Sequence, residues 1–382
     1  MTNKNKKIII WILKVFILWR LGLFILAFIG TKILTFKYSF PYVHTDLSPL
    51  GPQFIWQWAN FDGVHYLRII KEGYLSQNSQ AFFPLFPIIV RFTGSLTGNY
   101  LFTGLILNSL FFLLALYFFY KLIRLDYTDK VAKSTLLFLL LFPASFFFAS
   151  IYTESFFFLF VILAFYFMRT SKWIKVGLFG FLASLTKVFG IFLIPSYLCE
   201  YYLVSKKSKK RISFISLFIA IIMTLAGLGL YMRYLAVNFS DPLYFAHAQP
   251  AFGASRSVDK IILLYQVFYR YIKMILTPGI NNFFYYTIIL EFLSALLFLM
   301  LIILGYVKKI RPSYLLFAVF AYIIPTLTGT FSSMPRYVLI LFPCFMVLGM
   351  IENKWLKGLI YLIFTVLLAV STIMFTRGYW IA

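Results

Sequence analysis

The sequence predicts an all-α polytopic membrane protein built as a single domain, residues 1–382. Three observations predict it. The chain is 62% hydrophobic and only 12% charged, with a mean hydropathy of +0.90, which is more apolar surface than a soluble core can bury. Apolar segments recur from one end to the other. The loops between them alternate between basic and less basic, as the positive-inside rule requires. A net charge of +24 does not point to nucleic acid, because no basic patch alternates with stacking aromatics in a soluble domain. Membrane lipids and lipid phosphates are the better partners. Cys199 and Cys344 sit in apolar context, with no disulfide framework and no metal-ligand spacing.

The first segment runs from about Ile8 to Leu34, behind MTNKNKK. No small-residue cleavage site follows, so it reads as a retained span. Arg20 in its middle is costly in lipid unless it faces protein or a polar cavity, and a buried carboxylate is one candidate partner.

Residues 35–100 form the first large loop. They hold NFDGVHYLRIIKEGY (60–74) and AFFPLFPIIVR (81–91). With only eleven acidic residues in the chain, the placement of Asp62 carries weight. Asp62 can cap a short helix reaching about Lys71, which Gly73 can end in the left-handed conformation. Asp62, His65 and Tyr66 are three and four positions apart and share a helix face. Arg68 adds a base to the same stretch. Pro84 suits the first turn of a second amphipathic surface helix, with Phe86, Ile89 and Val90 toward lipid.

Further spans are expected near Leu101–Leu122, Ser134–Ala149 and Ser155–Phe167, the last two hinged at FPASFFFASIYTES (142–155). A pair near Ile174–Leu185 and Phe189–Val204 flanks TKVFG (186–190) and can also be read as one long tilted segment. Ile212–Leu235 follows the basic run KKSKKR (206–211). The second large loop, 238–282, holds DPLYFAHAQPAF (241–252) and an amphipathic stretch near Lys260–Leu276. Spans near Phe283–Tyr306, Tyr314–Thr330, Tyr337–Ile351 and Leu356–Phe375 complete about eleven. All the basic loops but Lys354/Lys357 fall on one side, expected to be cytoplasmic. The protein is then a multi-pass component of the cell membrane, with both large loops on the extracytoplasmic face.

That outer face gathers Asp62/His65/Tyr66, Tyr152/Glu154, His247/Gln249 and Arg336/Tyr337, with Lys187 joining them. Carboxylates and cations at one membrane surface suit a reaction on a lipid phosphate. The cations hold the phosphate and a carboxylate takes a proton from the attacking hydroxyl. There is no soluble α/β domain and no Gly-rich phosphate loop, so a donor would be membrane-borne. Two other readings stay open. One is a lipid-linked sugar transporter or flippase, which would call for polar groups through the midplane and paired halves. The other is a non-catalytic subunit of a glycosylation complex, with a membrane-protein partner.

The motifs resemble one family. FDGVHYLRIIKEGY is similar to the W/F-D-x-x-H/W-Y/F-x-x-I-A-x-x-G-Y signature of the PIG-V mannosyltransferases, and AFFPLFPIIVR to the element that follows it there. FPASFFFASIYTESFFFL, LASLTKVFGIFLIP, DPLYFAHAQPAF and SSMPRYVLILFP resemble four further elements of that family, in the same order. The resemblance implies a GT-C glycosyltransferase fold. It implies a polyprenyl-phosphate-linked sugar donor, transfer with inversion to a glycan or lipid acceptor on the outer face, and no cofactor or metal. By that similarity Asp62 takes the general-base position and Glu154 the second acidic one. Arg336, Lys187 and Arg68 are the candidate contacts to the donor phosphate. His65, Tyr66, Tyr152, Gln249 and Tyr337 are the candidate substrate-binding residues. Two positions depart from the family pattern: an arginine is here Lys187, without the bidentate fork, and a tryptophan is here Phe252. The basic, Phe- and Lys-rich composition reads as prokaryotic, so the family's GPI acceptor does not carry over.

Overall fold

The computed structural model describes residues 3–207, 213–254, 256–257, 260–277 and 282–381. The basic run 208–211 lies outside the described residues. Among the described residues, fourteen helices of eight residues or more organise the fold: α1 Asn3–Ile33, α2 Asp62–Glu72, α3 Leu85–Thr97, α4 Tyr100–Ile123, α5 Asp129–Leu141, α6 Glu154–Arg169, α7 Trp173–Thr186, α8 Leu193–Lys207, α9 Phe214–Phe239, α10 Leu264–Leu276, α11 Asn282–Val307, α12 Pro312–Thr326, α13 Phe342–Gly349 and α14 Lys354–Thr376. Each of the eleven expected apolar segments holds one of these helices, though 134–149 is α-helical only to Leu141 and 337–351 mainly over Phe342–Gly349, and the described residues hold no strand.

Those eleven are not equal. A helix needs about 20 residues to cross a hydrocarbon core. Among the described residues six meet that length and apolarity: α1, α4, α8 with the turn before it, α9, α11 and α14. The protein is therefore a multi-pass membrane protein. The other five, α5, α6, α7, α12 and α13, are only 13, 16, 14, 15 and 8 residues long. Irregular backbone at membrane depth is tolerated only where protein or a cavity surrounds it. The breaks at 142–153, 187–192 and 327–341 fit that rule, since each carries residues of one cavity.

Small residues let neighbouring helices close on those breaks. A Cβ on Gly180 would lie 2.1 Å from Thr224 Oγ1, and one on Gly227 would lie 2.4 Å from Phe181 O, so glycine is what brings α7 and α9 into contact. At Gly190 a Cβ would stand 2.3 Å from the Ser184 amide. The turn after Lys187 folds tightly back on α7, and α7 and α8 are two helices, not one tilted segment. The phenylalanine runs 146–148 and 156–158 are fully packed inside.

Three expectations are corrected by packing. In α3 the inward residues are Phe86 and Val90, both 0% exposed. Phe86 sits edge-on between Tyr66 and Phe156. Ile88, Phe92 and Leu96 are the outward ones. α3 is apolar on several faces, and the aromatic partners on α2 and α6 decide its rotation. Among the described residues Arg20 meets no carboxylate. It donates to Ala149 O at 2.9 Å and stands over the Phe24 and Trp58 rings. Lys354/Lys357 share an end with the other basic loops: Lys357 lies near Lys130, and Tyr361 bonds Ser134 at 2.7 Å.

At that basic end a charge network ties four elements together. Glu200, fully buried, takes Arg311 through both oxygens at 2.5 and 2.7 Å, with Ser313 Oγ at 2.7 Å. Arg169 reaches Glu200 at 3.7 Å, Asp126 through both nitrogens, and Tyr314 at 2.6 Å.

Candidate active site

At the other end, a cavity of about 440 Å³ opens beneath the first large loop. Its base is set by an unusual helix start. Asp62 is the first residue of α2, and the residue before it, Phe61, has φ 60° and ψ −117° with no side-chain cap. A bulky residue at positive φ is strained. Phe61 is held there by Phe40, Phe375 and Trp380, with ring centroids 4.5, 5.9 and 5.1 Å away. Asp62 is thus not a cap. Its carboxylate points into the cavity. Gly73 ends the helix at φ 81°, its amide bonding Ile69 O.

Four charged side chains run in line across the cavity. Asp62 Oδ2 accepts from Arg336 Nη1 at 2.5 Å. Arg336 Nε lies 3.8 Å from Glu154 Oε1. That oxygen accepts from Lys187 Nζ at 2.5 Å. Asp62 comes from α2, Glu154 from the start of α6, Lys187 from the end of α7, and Arg336 from the short turn Met334–Tyr337 between α12 and α13. Glu154 is 1% exposed, and its Oε2 finds no partner among the described residues. Burial alone would push the Asp62 carboxyl up, but the Arg336 charge and hydrogen bond outweigh it and hold it below the usual carboxylate range. Burial keeps the His65 imidazole below its ordinary value, so it stays neutral at pH 7.

Around this line the aromatic residues position and enclose. Tyr152 donates to Asn60 O at 2.9 Å, fixing the residue two before Asp62. Asn60 itself donates to Phe375 O at 2.7 Å. Tyr66 lies 3.5 Å from Thr153 Oγ1. His65 stacks on Phe82 and meets Phe252 edge-on. Arg336 stands 5.4 Å from the Tyr152 ring and 5.7 Å from that of Tyr337, contacts that keep a guanidinium in place as desolvation grows. Gln249 donates to Phe245 O at 3.2 Å and lines the cavity.

Nine of the eleven residues singled out in the sequence therefore line one cavity: Asp62, His65, Tyr66, Tyr152, Glu154, Lys187, Gln249, Arg336 and Tyr337. Arg68 does not. It pairs with Asp46 at 3.2 Å and lies over the Tyr42 ring, one layer outside. His247 also stays out, half-exposed and bonded to Asp241 at 2.8 Å. Sequence reasoning missed Arg256, which lines the cavity and reaches Ser333 Oγ at 3.5 Å, as Arg336 does at 3.4 Å. It stands outside every motif; the available signal was a cation on the less basic side of the membrane. Among the described residues no group of three or more His, Cys, Asp or Glu side chains is placed to hold a metal ion.

A family model described as Mannosyltransferase (PIG-V) matches residues 12–348. No curated protein and no solved structure matches the chain. The match covers most of the sequence and every residue of the charged line, and the chain belongs to the PIG-V mannosyltransferase family.

Proposed function

We propose that the protein is an inverting, GT-C-type mannosyltransferase of the cell membrane. It would move mannose from a polyprenyl-phosphate donor to a hydroxyl of an extracytoplasmic glycan or lipid acceptor. The observation that carries the reading is the line Asp62–Arg336–Glu154–Lys187 inside one cavity. In the transfer, the acceptor oxygen attacks the anomeric carbon from the face opposite the phosphate. Asp62 takes its proton as the new bond forms. The bond from that carbon to the phosphate oxygen breaks, and the polyprenyl phosphate leaves with the electron pair. Displacement in one step inverts the carbon and requires one base and one stabilised leaving group.

The cations fit the second requirement. Arg336 and Lys187, with Arg256 beside Ser333, give the cavity three positive charges against the two carboxylates. The donor's phosphodiester, with its single negative charge, fits that excess, and the same cations stabilise the second charge that develops as polyprenyl phosphate leaves. Glu154 touches both Arg336 and Lys187 and holds them at their spacing. Tyr152 and Tyr66 act as positioning residues, since their hydroxyls are engaged by Asn60 and Thr153.

The test is transfer of label from radiolabelled polyprenyl-phosphate mannose in membranes, with wild type and Asp62→Asn at matched expression. Label moving into a new product with wild type alone supports the reading. Equal transfer by Asp62→Asn would remove Asp62 from the mechanism, and no transfer by wild type from this donor with any membrane acceptor would sink the donor assignment.

A further inference from the structure

A second cavity of about 370 Å³ adjoins the first, and the two share Phe252 and Trp380. The transfer chemistry above leaves it unused. Its polar wall is Arg270 and Tyr271 of α10, Glu291 of α11, and Thr330 and Ser332 of the segment between α12 and α13. Glu291 is 4% exposed in a helix that is otherwise almost wholly apolar. A carboxylate there is expensive and marks function before structure.

Its hydrogen bonding is incomplete. Tyr271 donates to Oε2 at 2.6 Å and the Ser333 amide to Oε1 at 3.3 Å. A carboxylate offers about four acceptor sites, so two remain. Among the described residues no cation lies within 4 Å of it. Arg270 is the complement. One nitrogen donates to Gly329 O at 3.0 Å, and its other N–H groups have no protein acceptor among the described residues. The chamber thus offers spare acceptors on α11 and spare donors on α10 along one wall, with the Trp380 and Phe252 rings where it meets the first cavity.

Those features select a ligand class. A second phosphate would find one cation here, Arg270, against the three that line the first cavity. An alkyl chain would leave both polar groups unmet in hydrocarbon surroundings, which is unfavourable. Sugar hydroxyls both donate to and accept from a carboxyl group and accept from a guanidinium, and the C–H face of a pyranose lies against an aromatic ring. The volume falls within the about 300–1,000 Å³ usual for ligand sites. The mouth also has the right address. Trp380 packs edge-on against Phe61 at 5.1 Å, and the next residue is Asp62, the proposed base.

We infer that this chamber is the acceptor subsite and holds the pyranose whose hydroxyl is presented to Asp62 past Phe252 and Trp380. The inference rests on the mannosyl-transfer reading for its role, but the sugar-binding claim stands on the chamber itself. The experiment uses the full chain in detergent and a photoreactive octyl pyranoside, with crosslinked peptides located by mass spectrometry. Label is expected on peptides spanning 270–274 and 330–332, competed by excess unlabelled octyl mannoside and not by octanol. Glu291→Gln should cut that labelling at least fivefold. Met274→Trp, which fills the chamber without touching its polar groups, should do the same and decides the matter if Glu291→Gln does not fold. Label unchanged in both variants, or found only on outward helix faces, overturns the proposal. Chamber labelling that behaves as expected beside failed transfer from polyprenyl-phosphate mannose would keep the sugar site and discard the donor reading alone.

Discussion

Asp62 and Arg336, 274 residues apart in sequence, meet at 2.5 Å inside the candidate active-site cavity. This contact joins the first large loop to the segment between α12 and α13. It also sets the electrostatics of the base, because a buried carboxylate without a cation would be driven toward its neutral form. A protonated Asp62 could not accept the proton of an attacking hydroxyl.

A pH dependence follows from the sign of that shift. The pKa of Asp62 is lowered from 3.8, with burial opposing and Arg336 prevailing. The ionised form therefore persists as pH falls, and is lost only below the ordinary carboxylate range. The acid limb of kcat/KM should lie below that range in wild type. In Arg336→Gln the burial effect is left with less opposition, so the limb should move up toward neutrality, together with a drop in the plateau. A pH–rate profile of both proteins on the labelled donor checks this. An acid limb at the same pH in both would show that Arg336 does not control the base.

Glu154 and Lys187 should behave as a unit. Removing one partner of a buried pair strands the other charge and costs about 3–5 kcal/mol. Lys187→Met should accordingly lower the thermal midpoint in detergent, and Lys187→Met combined with Glu154→Gln should recover most of the loss. Transfer should stay impaired in the double variant, because the cavity has lost a proposed contact to the donor phosphate. A double variant no more stable than Lys187→Met would mean the two side chains are not coupled.

Most of the site was legible because the chemistry is concentrated in short motifs, and the breaks between short helices bring those motifs together. Asp62, Glu154, Lys187 and Arg336 each sit where a hydrophobic run is interrupted by polar residues, a signal that survives without any tertiary information. Facing was less legible. Phe86 and Val90 were expected toward lipid, yet α3 is apolar on more than one side, so periodicity does not fix its rotation. Arg68 was drawn in by its neighbourhood, but Asp46 claims it first. Glu291 lies in the run FFYYTIILEFLS, where an acid inside a span is itself a signal. Its role depends on Tyr271 and Arg270, which no spacing links to it.

The network at the basic end should carry stability and not catalysis. Glu200 is fully buried and accepts from Arg311 and Ser313, with Arg169 close by. Glu200→Gln would leave guanidinium charge uncompensated near the ends of α6 and α12. A loss on the order of 3–5 kcal/mol is expected, read as a lower thermal midpoint. The KM for donor in the fraction that remains folded should be unchanged. A changed KM would show that this end communicates with the cavity.

Arg256 offers the sharpest separation between binding and catalysis. It lines the cavity and reaches Ser333 Oγ from one side while Arg336 reaches it from the other. Two guanidinium groups sharing a neutral hydroxyl repel each other unless an anion lies between them, and a phosphate is the anion the proposed donor brings. Arg256 makes no contact with Asp62 within salt-bridge range among the described residues, so its loss should leave the base in place. Arg256→Gln should therefore raise the KM for polyprenyl-phosphate mannose about tenfold or more and lower kcat much less. Arg256→Lys should recover part of the affinity, since the charge returns without the planar fork. Raising ionic strength should narrow the gap between wild type and Arg256→Gln, because the long-range part of a charge–phosphate attraction is screened. An unchanged KM in Arg256→Gln, with kcat reduced instead, would place Arg256 with the groups that position the base and leave phosphate recognition to Arg336 and Lys187.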